Sequence, residues 1–234
     1  MTKYLFNRTP LVMGGTIEQP EQALVKNTPG LWNASPEDAL MYGGDLTREA
    51  LSAMRLRNDR RYVTVDVKVH QLMKGMCPAI PGWHTDGVPR WADGSPAAGH
   101  GPRLSIQAEA DARGLRPPRY HLLVTGEHCL TEFVNGQFYI NFPLRWEDTD
   151  GLYKFVSDEV ESRLATGELK KLTVPSCTVV EWDWWAVHQG TVSTGAEWRY
   201  LIRVTESDTL APQADLRSVL RTQQNVYVPG AYGW

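Results

Sequence analysis

Two histidines, one aspartate and one arginine are the residues of this 234-residue chain whose types and spacing point to chemistry. His84 and Asp86 lie two apart in the segment Pro81-Gly82-Trp83-His84-Thr85-Asp86-Gly87. His188 follows 188 − 84 = 104 residues later, in Trp184-Trp185-Ala186-Val187-His188-Gln189-Gly190, and Arg199 comes eleven residues after that. In extended backbone, residues i and i+2 project to the same side. His84 and Asp86 can therefore reach one cation from a strand end, with Gly82 and Gly87 permitting a bend. Arginine adds a planar, permanently charged fork that pairs with a carboxylate. The set fits a divalent metal with a carboxylate-bearing ligand held beside it.

Two histidines and a carboxylate on one face of Fe(II) leave three coordination positions open. A chelating 2-oxo acid takes two of them and dioxygen the third. Zinc accepts the same donors, and the arginine is what favours iron with a co-substrate. Arg203 shares a strand face with Arg199, about 13 Å away at the usual rise per residue, and is the runner-up for the carboxylate anchor. Tyr120, Thr131 and Asn141 are candidates for the hydroxyl or amide that completes such a clamp. Trp83, Trp91 and Trp185 are candidates to line the substrate mouth, whereas Trp182 and Trp184 lie in an apolar stretch and read as packing. His70, His100, His121 and His128 read as structural or substrate-facing rather than as ligands.

The elements that must position these residues are mostly strands. Around residues 62–69, valines alternate with Thr64, Asp66 and Lys68, as in a half-buried strand. Further β-rich runs are expected at 120–124, 130–134, 138–142, 172–174, 178–182 and 198–205. Asn135-Gly136 between two of them predicts a hairpin. Ser35-Pro36 predicts a helix start by its serine cap and first-position proline, and Asp45 predicts another. Residues 152–166 predict a helix with Leu152, Phe155, Val156, Val160 and Leu164 on one face. Residues 1–34 read as irregular, punctuated by glycine and proline. Residues 87–118 are rich in proline, glycine and alanine. A stretch of that length without periodicity is usually functional, and it is a candidate lid because it directly follows the His84/Asp86 pair.

Many short strands with turn punctuation predict a mainly β fold. One domain over residues 1–234 suits the length, with a β core at about 62–206 and a helical segment at about 35–57. Hydrophobic residues at 42%, charged residues at 22% and a net charge of −3 give no global argument for nucleic acid or an anionic membrane. Local basic runs at residues 55–61 and 113–119 keep phosphate contacts open. No apolar run reaches membrane-span length. Three widely spaced cysteines indicate no disulfide framework. The N-terminus shows no signal-peptide apolar region, so a cytoplasmic setting is expected.

With these residues in place, the chain resembles the Fe(II)/2-oxoglutarate-dependent dioxygenases. The resemblance rests on His84-Thr85-Asp86, on the run 178–190 ending at His188, and on Arg199 in Arg-Tyr-Leu-Ile-Arg. It covers about residues 62–206. It implies a double-stranded β-helix (jelly-roll) core with flanking helices, His84, Asp86 and His188 as iron ligands, and Arg199 on the distal carboxylate of 2-oxoglutarate. Leu201 departs from the family pattern, in which many members carry serine two residues after the arginine. The implied activity is hydroxylation of a C–H bond of a small-molecule or amino-acid-like substrate, with release of succinate and CO2. Oxygenation of a nucleic-acid base by flipping and a non-catalytic metal-binding jelly roll are the alternatives.

Overall fold

The alternation at residues 62–69 produces the central element of the molecule, though not a half-buried one. The computed structural model describes residues 2–79, 81–86, 104–143, 152–221 and 225–228. In chain order the elements are β1 (Thr2–Phe6), β2 (Val12–Thr16), α1 (Gln22–Asn27), β3 (Gly30–Ala34), α2 (Pro36–Tyr42), α3 (Gly44–Ser52), β4 (Tyr62–Leu72), α4 (Leu104–Ala112), β5 (Arg119–Thr125), β6 (Thr131–Asn135), β7 (Phe138–Phe142), α5 (Leu152–Ala165), β8 (Lys170–Thr173), β9 (Thr178–Trp182), β10 (His188–Gly190), β11 (Glu197–Ser207), α6 (Leu216–Val219) and β12 (Leu220–Arg221). The fold is mainly β, and every strand pairing among the described residues is antiparallel.

Seven strands form one sheet in the order β12-β3-β4-β11-β5-β9-β2, three form a second, β10-β6-β8, and β1 pairs with β7. β11 runs along β4 for all eleven residues, Glu197 opposite Leu72 through Ser207 opposite Tyr62. Both faces of this sheet are covered, in the manner of a sandwich. On one face Val65, Val67, Leu123, Tyr200, Ile202 and Val204 pack against Val25, Ala39, Leu46 and Ala50 of the N-terminal helices. On the other, Leu122, Val180 and Trp182 meet Phe133, Val187 and the aromatic residues of β1 and β7. Some polar side chains of β4 are thus inside as well: Thr64, Asp66 and His70 are buried, while Lys68 is exposed. No helix among the described residues is long and apolar enough to cross a membrane.

Local chemistry explains the helix starts. The Ser35 hydroxyl accepts from the Asp38 amide at 3.0 Å with Pro36 in the first turn, the arrangement that serine-proline predicts. Gly43 rather than Asp45 caps α3, and Asp45 lies in its first turn, where a carboxylate favours the helix dipole. In α5, Leu152, Tyr153, Val156 and Val160 are buried, so Tyr153 joins the face that the spacing predicts.

Three expectations are corrected. Residues 1–34 are not irregular: β1, β2, α1 and β3 occupy much of them. Asn135-Gly136 does make a turn, with Gly136 at φ +87°, but no hairpin follows. The Asn7 amide donates to the Val134 and Gly136 carbonyls at 2.8 Å, and the Val134 amide donates to Val187. With those groups engaged, β7 turns away and pairs with β1 in a separate two-stranded sheet. The 87–118 stretch is not without regular structure, since α4 falls inside it; its first part, 87–103, lies outside the described residues, and so does Trp91.

Candidate metal and carboxylate site

Gly82 adopts φ +110°, a backbone region that costs glycine little and other residues much. The chain turns there, and His84 then meets His188 in an isolated antiparallel bridge. The His84 amide donates to the His188 carbonyl at 3.0 Å and the His188 amide to the His84 carbonyl at 2.9 Å. The two rings lie with centroids 4.8 Å apart.

Both imidazoles are oriented alike. His84 Nδ1 lies 2.9 Å from the Gly82 carbonyl and His188 Nδ1 lies 3.0 Å from the Ala186 carbonyl. A carbonyl only accepts, so Nδ1 carries the proton on each ring, and Nε2 is the nitrogen that a neutral ring offers a ligand. Burial, reinforced by His188, pushes His84 down to about 4, so this ring is neutral near pH 7.

Asp86 completes the group. Its Oδ1 accepts from Arg203 at 3.1 Å, its Oδ2 accepts from Trp182 Nε1 at 3.2 Å, and Oδ2 lies 3.5 Å from His188 Nε2. Burial alone would raise its carboxyl, but His188, Arg203 and His84 together hold it below the ordinary value. Among the described residues, no three such side chains already stand as a finished coordination sphere. Asp86 is turned toward Arg203 and Trp182 instead. Phe133 and Trp182 flank the His188 ring at 5.3 and 5.5 Å, and Tyr153 stands edge-on to His84 at 6.3 Å.

These residues open onto one cavity of about 130 Å³, lined among others by Asp66, Lys68, Thr131, Trp182, Arg199 and Arg203. The two arginines differ sharply. Arg203 is engaged by Asp86 and, at 3.3 Å, by Asp66. Arg199 is 1% exposed, donates through Nε to the Cys129 carbonyl at 2.8 Å, and leaves its terminal Nη1 buried without a partner. Burial holds its guanidinium below the ordinary value, only partly offset by Cys129 and Glu197, and no carboxylate forms an ion pair with it among the described residues.

Of the predicted residues, His84, Asp86, His188, Arg199, Arg203 and Thr131 come together at this cavity. Others do not. Asn141 is exposed on β7 opposite Lys3, because it faces away from the β1–β7 core. Tyr120 is buried behind the site, its ring 5.4 Å from that of Trp182, and is not a lining residue. Trp83 is wholly buried and donates to Glu161 at 2.6 Å. Trp185 packs near Tyr4 and Phe6, donates to Asp111 at 3.0 Å, and carries the Arg8 guanidinium 3.7 Å over its ring. Both indoles are satisfied in the core, as large aromatics with a polar handle commonly are. Among the described residues, the tryptophan that does line the cavity is Trp182.

Asp66, Lys68 and Gln107 escaped the sequence reading. The first two share a β4 face with His70, and that parity was the available signal. Gln107 of α4 is fully buried and donates to the Asp86 carbonyl at 3.3 Å and to the Trp184 carbonyl.

Four of the seven arginines in the basic runs are paired with acids. Arg57 pairs with Glu181, Arg60 and Arg116 with Asp208, and Arg119 with Asp59 and Glu206. Arg119, Glu181 and Glu206 alternate with the cavity-facing Leu122, Trp182 and Arg203, which puts this network on the opposite sheet face. Four arginines paired with four acids make a poor unpaired patch for phosphates. Among known proteins, no family model matches the sequence, and no curated protein or solved structure shows a significant likeness to it.

Proposed function

We propose that this protein is an Fe(II)- and 2-oxoglutarate-dependent oxygenase built on a double-stranded β-helix, hydroxylating a C–H bond of a small-molecule or amino-acid-like substrate. The observation that carries the reading is one cavity lined by His84, Asp86 and His188 together with the uncompensated guanidinium of Arg199. Two imidazoles with Nδ1 held by backbone carbonyls and one ionised carboxylate are the donor set that suits Fe(II) with open positions. A buried arginine with an unpartnered Nη1 is unfavourable unless an anion reaches it. A dicarboxylate chelated at the metal end meets that need with its distal carboxylate.

Bound iron and 2-oxoglutarate would supply the oxidising chemistry; the chain's own residues bind, orient and shield. Arg203 and Trp182 hold Asp86 from two sides. Phe133, Trp182 and Tyr153 wall the imidazoles with aromatic surface and limit water. Thr131, on the strand that pairs with that of His188, lines the Arg199 end. A purely structural metal site would not require a buried, unpaired arginine in the same cavity, and the acid pairing of Arg57, Arg60, Arg116 and Arg119 disfavours a nucleic-acid substrate. Anaerobic equilibrium dialysis tests the metal assignment. One Fe(II) per chain is expected, with loss on Asp86→Ala and retention on Arg199→Met; preferential retention of zinc at these residues, unaffected by 2-oxoglutarate, would overturn it.

A further inference from the structure

The row between the two arginines contains a further cation. On β11, Arg199, Leu201 and Arg203 face the cavity, and their partners across the ladder on β4 are His70, Lys68 and Asp66. Successive rows on one face lie about 7 Å apart. Arg203 and Asp66 mark the Asp86 end, because both acids bind that arginine. Arg199 and His70 mark the far end. Leu201, in the middle row, offers an anion no polar group, and the side chain opposite it is Lys68.

Lys68 makes no ion pair and no hydrogen bond among the described residues, although it lines the cavity. Its residue surface is exposed, yet its ammonium is held below the ordinary lysine value, first by desolvation and then by Arg203 and Arg199. The cavity's charged lining is therefore Lys68, Arg199 and Arg203 against Asp66 and Asp86, with both acids taken by Arg203. Among the described residues, two cations one row apart remain without an ion-pair partner, Lys68 feeling Asp66 and Asp86 only at a distance.

Resting on the oxygenase reading, we infer that Lys68 and Arg199 form a two-cation clamp for the co-substrate dicarboxylate, with Lys68 reaching it from β4 at the row where β11 presents only Leu201. A flexible ammonium on a four-carbon stem acts as a point charge, so it tolerates the ligand's approach while the Arg199 fork fixes its end. Thr131 contributes only a neutral wall to the same seat.

Calorimetric titration of Mn(II)-loaded protein with 2-oxoglutarate tests this without turnover. Relative to wild type, Lys68→Met is expected to weaken 2-oxoglutarate binding about tenfold or more, Lys68→Arg to restore most of it, and Mn(II) affinity to stay within about twofold. Thermal unfolding of each variant checks that the fold is retained. Unchanged 2-oxoglutarate affinity in Lys68→Met would overturn the clamp and hand Lys68 to the primary substrate, while leaving the oxygenase reading intact. Failure of wild type itself to bind 2-oxoglutarate would sink the oxygenase reading instead.

Discussion

His84 and His188, 104 residues apart, exchange both backbone hydrogen bonds, 3.0 Å in one direction and 2.9 Å in the other. That single bridge locks two candidate ligands into register and leaves their side chains facing one cavity. Each ring is then oriented by the carbonyl two residues before it. The site's geometry is thus set largely by backbone, with Gly82 supplying the conformation that no other residue adopts cheaply.

The two arginines are expected to separate cleanly on mutation. Arg199→Met should weaken 2-oxoglutarate binding about 10- to 100-fold, the range of a charge-assisted hydrogen bond lost, with Fe(II) affinity little changed. Arg203→Met should mainly change Fe(II) binding rather than 2-oxoglutarate binding, because it removes the guanidinium that holds Asp86 and Asp66. Calorimetry on both ligands for both variants checks the split; equal effects on 2-oxoglutarate would show that the anchor is misassigned.

Gln107 ties α4 to the ligand loop through the carbonyls of Asp86 and Trp184. Gln107→Ala should destabilise the protein by about 1–3 kcal/mol, since it leaves buried carbonyls unsatisfied, and should also lower Fe(II) affinity although no ligand is removed. Chemical denaturation with and without metal measures both. A stability loss with metal affinity unchanged would show that α4 is only packing.

Trp83 and Trp182 should differ in their effect on the metal. Trp83→Phe loses the bond to Glu161 and should cost about 1–2 kcal/mol of stability without altering ligand binding. Trp182→Phe removes a donor to Asp86 and should change metal binding, in addition to the stability lost by truncating a buried indole. Comparing denaturation midpoints with metal affinities for the pair checks the assignment.

Acid sensitivity should come from Glu206. Burial opposes its ionisation, but His121, Arg119 and the Asn58 amide outweigh burial and hold its carboxyl at about 2, against an ordinary value of 4.5. A carboxylate depressed in the folded state stabilises above its unfolded value, and that contribution fades as pH falls through the folded one. Glu206→Gln should therefore be less stable than wild type near pH 7, and the gap should shrink between about pH 4.5 and 2. A gap that does not vary across that window in denaturant titrations would contradict the assignment.

The candidate ligands and Arg199 were legible because their side-chain types and strand spacing carry the information locally. So were the Ser35 cap and the apolar face of α5. The partners of β1 and β7 were not, because Thr2 pairs with Phe142, 142 − 2 = 140 residues away, and Asn7 decides where the Asn135-Gly136 turn sends β7. Lys68 and Asp66 looked like the solvated side of a half-buried strand, since alternation does not reveal that the polar face lines a cavity. Trp83 and Trp185 looked like site aromatics for their nearness to the ligands in sequence. Trp83 lies one position from His84, where successive residues of extended backbone face opposite ways, and Trp185 lies in the turn three residues before His188.

The most direct measurement is anaerobic titration of the purified chain with Fe(II) and 2-oxoglutarate, followed by visible absorption. A weak metal-to-ligand charge-transfer band is expected for wild type, absent in His188→Ala and shifted to much higher 2-oxoglutarate concentration in Arg199→Met. No band in wild type, with Fe(II) demonstrably bound, would contradict the assignment of this cavity to a 2-oxoglutarate-dependent iron centre.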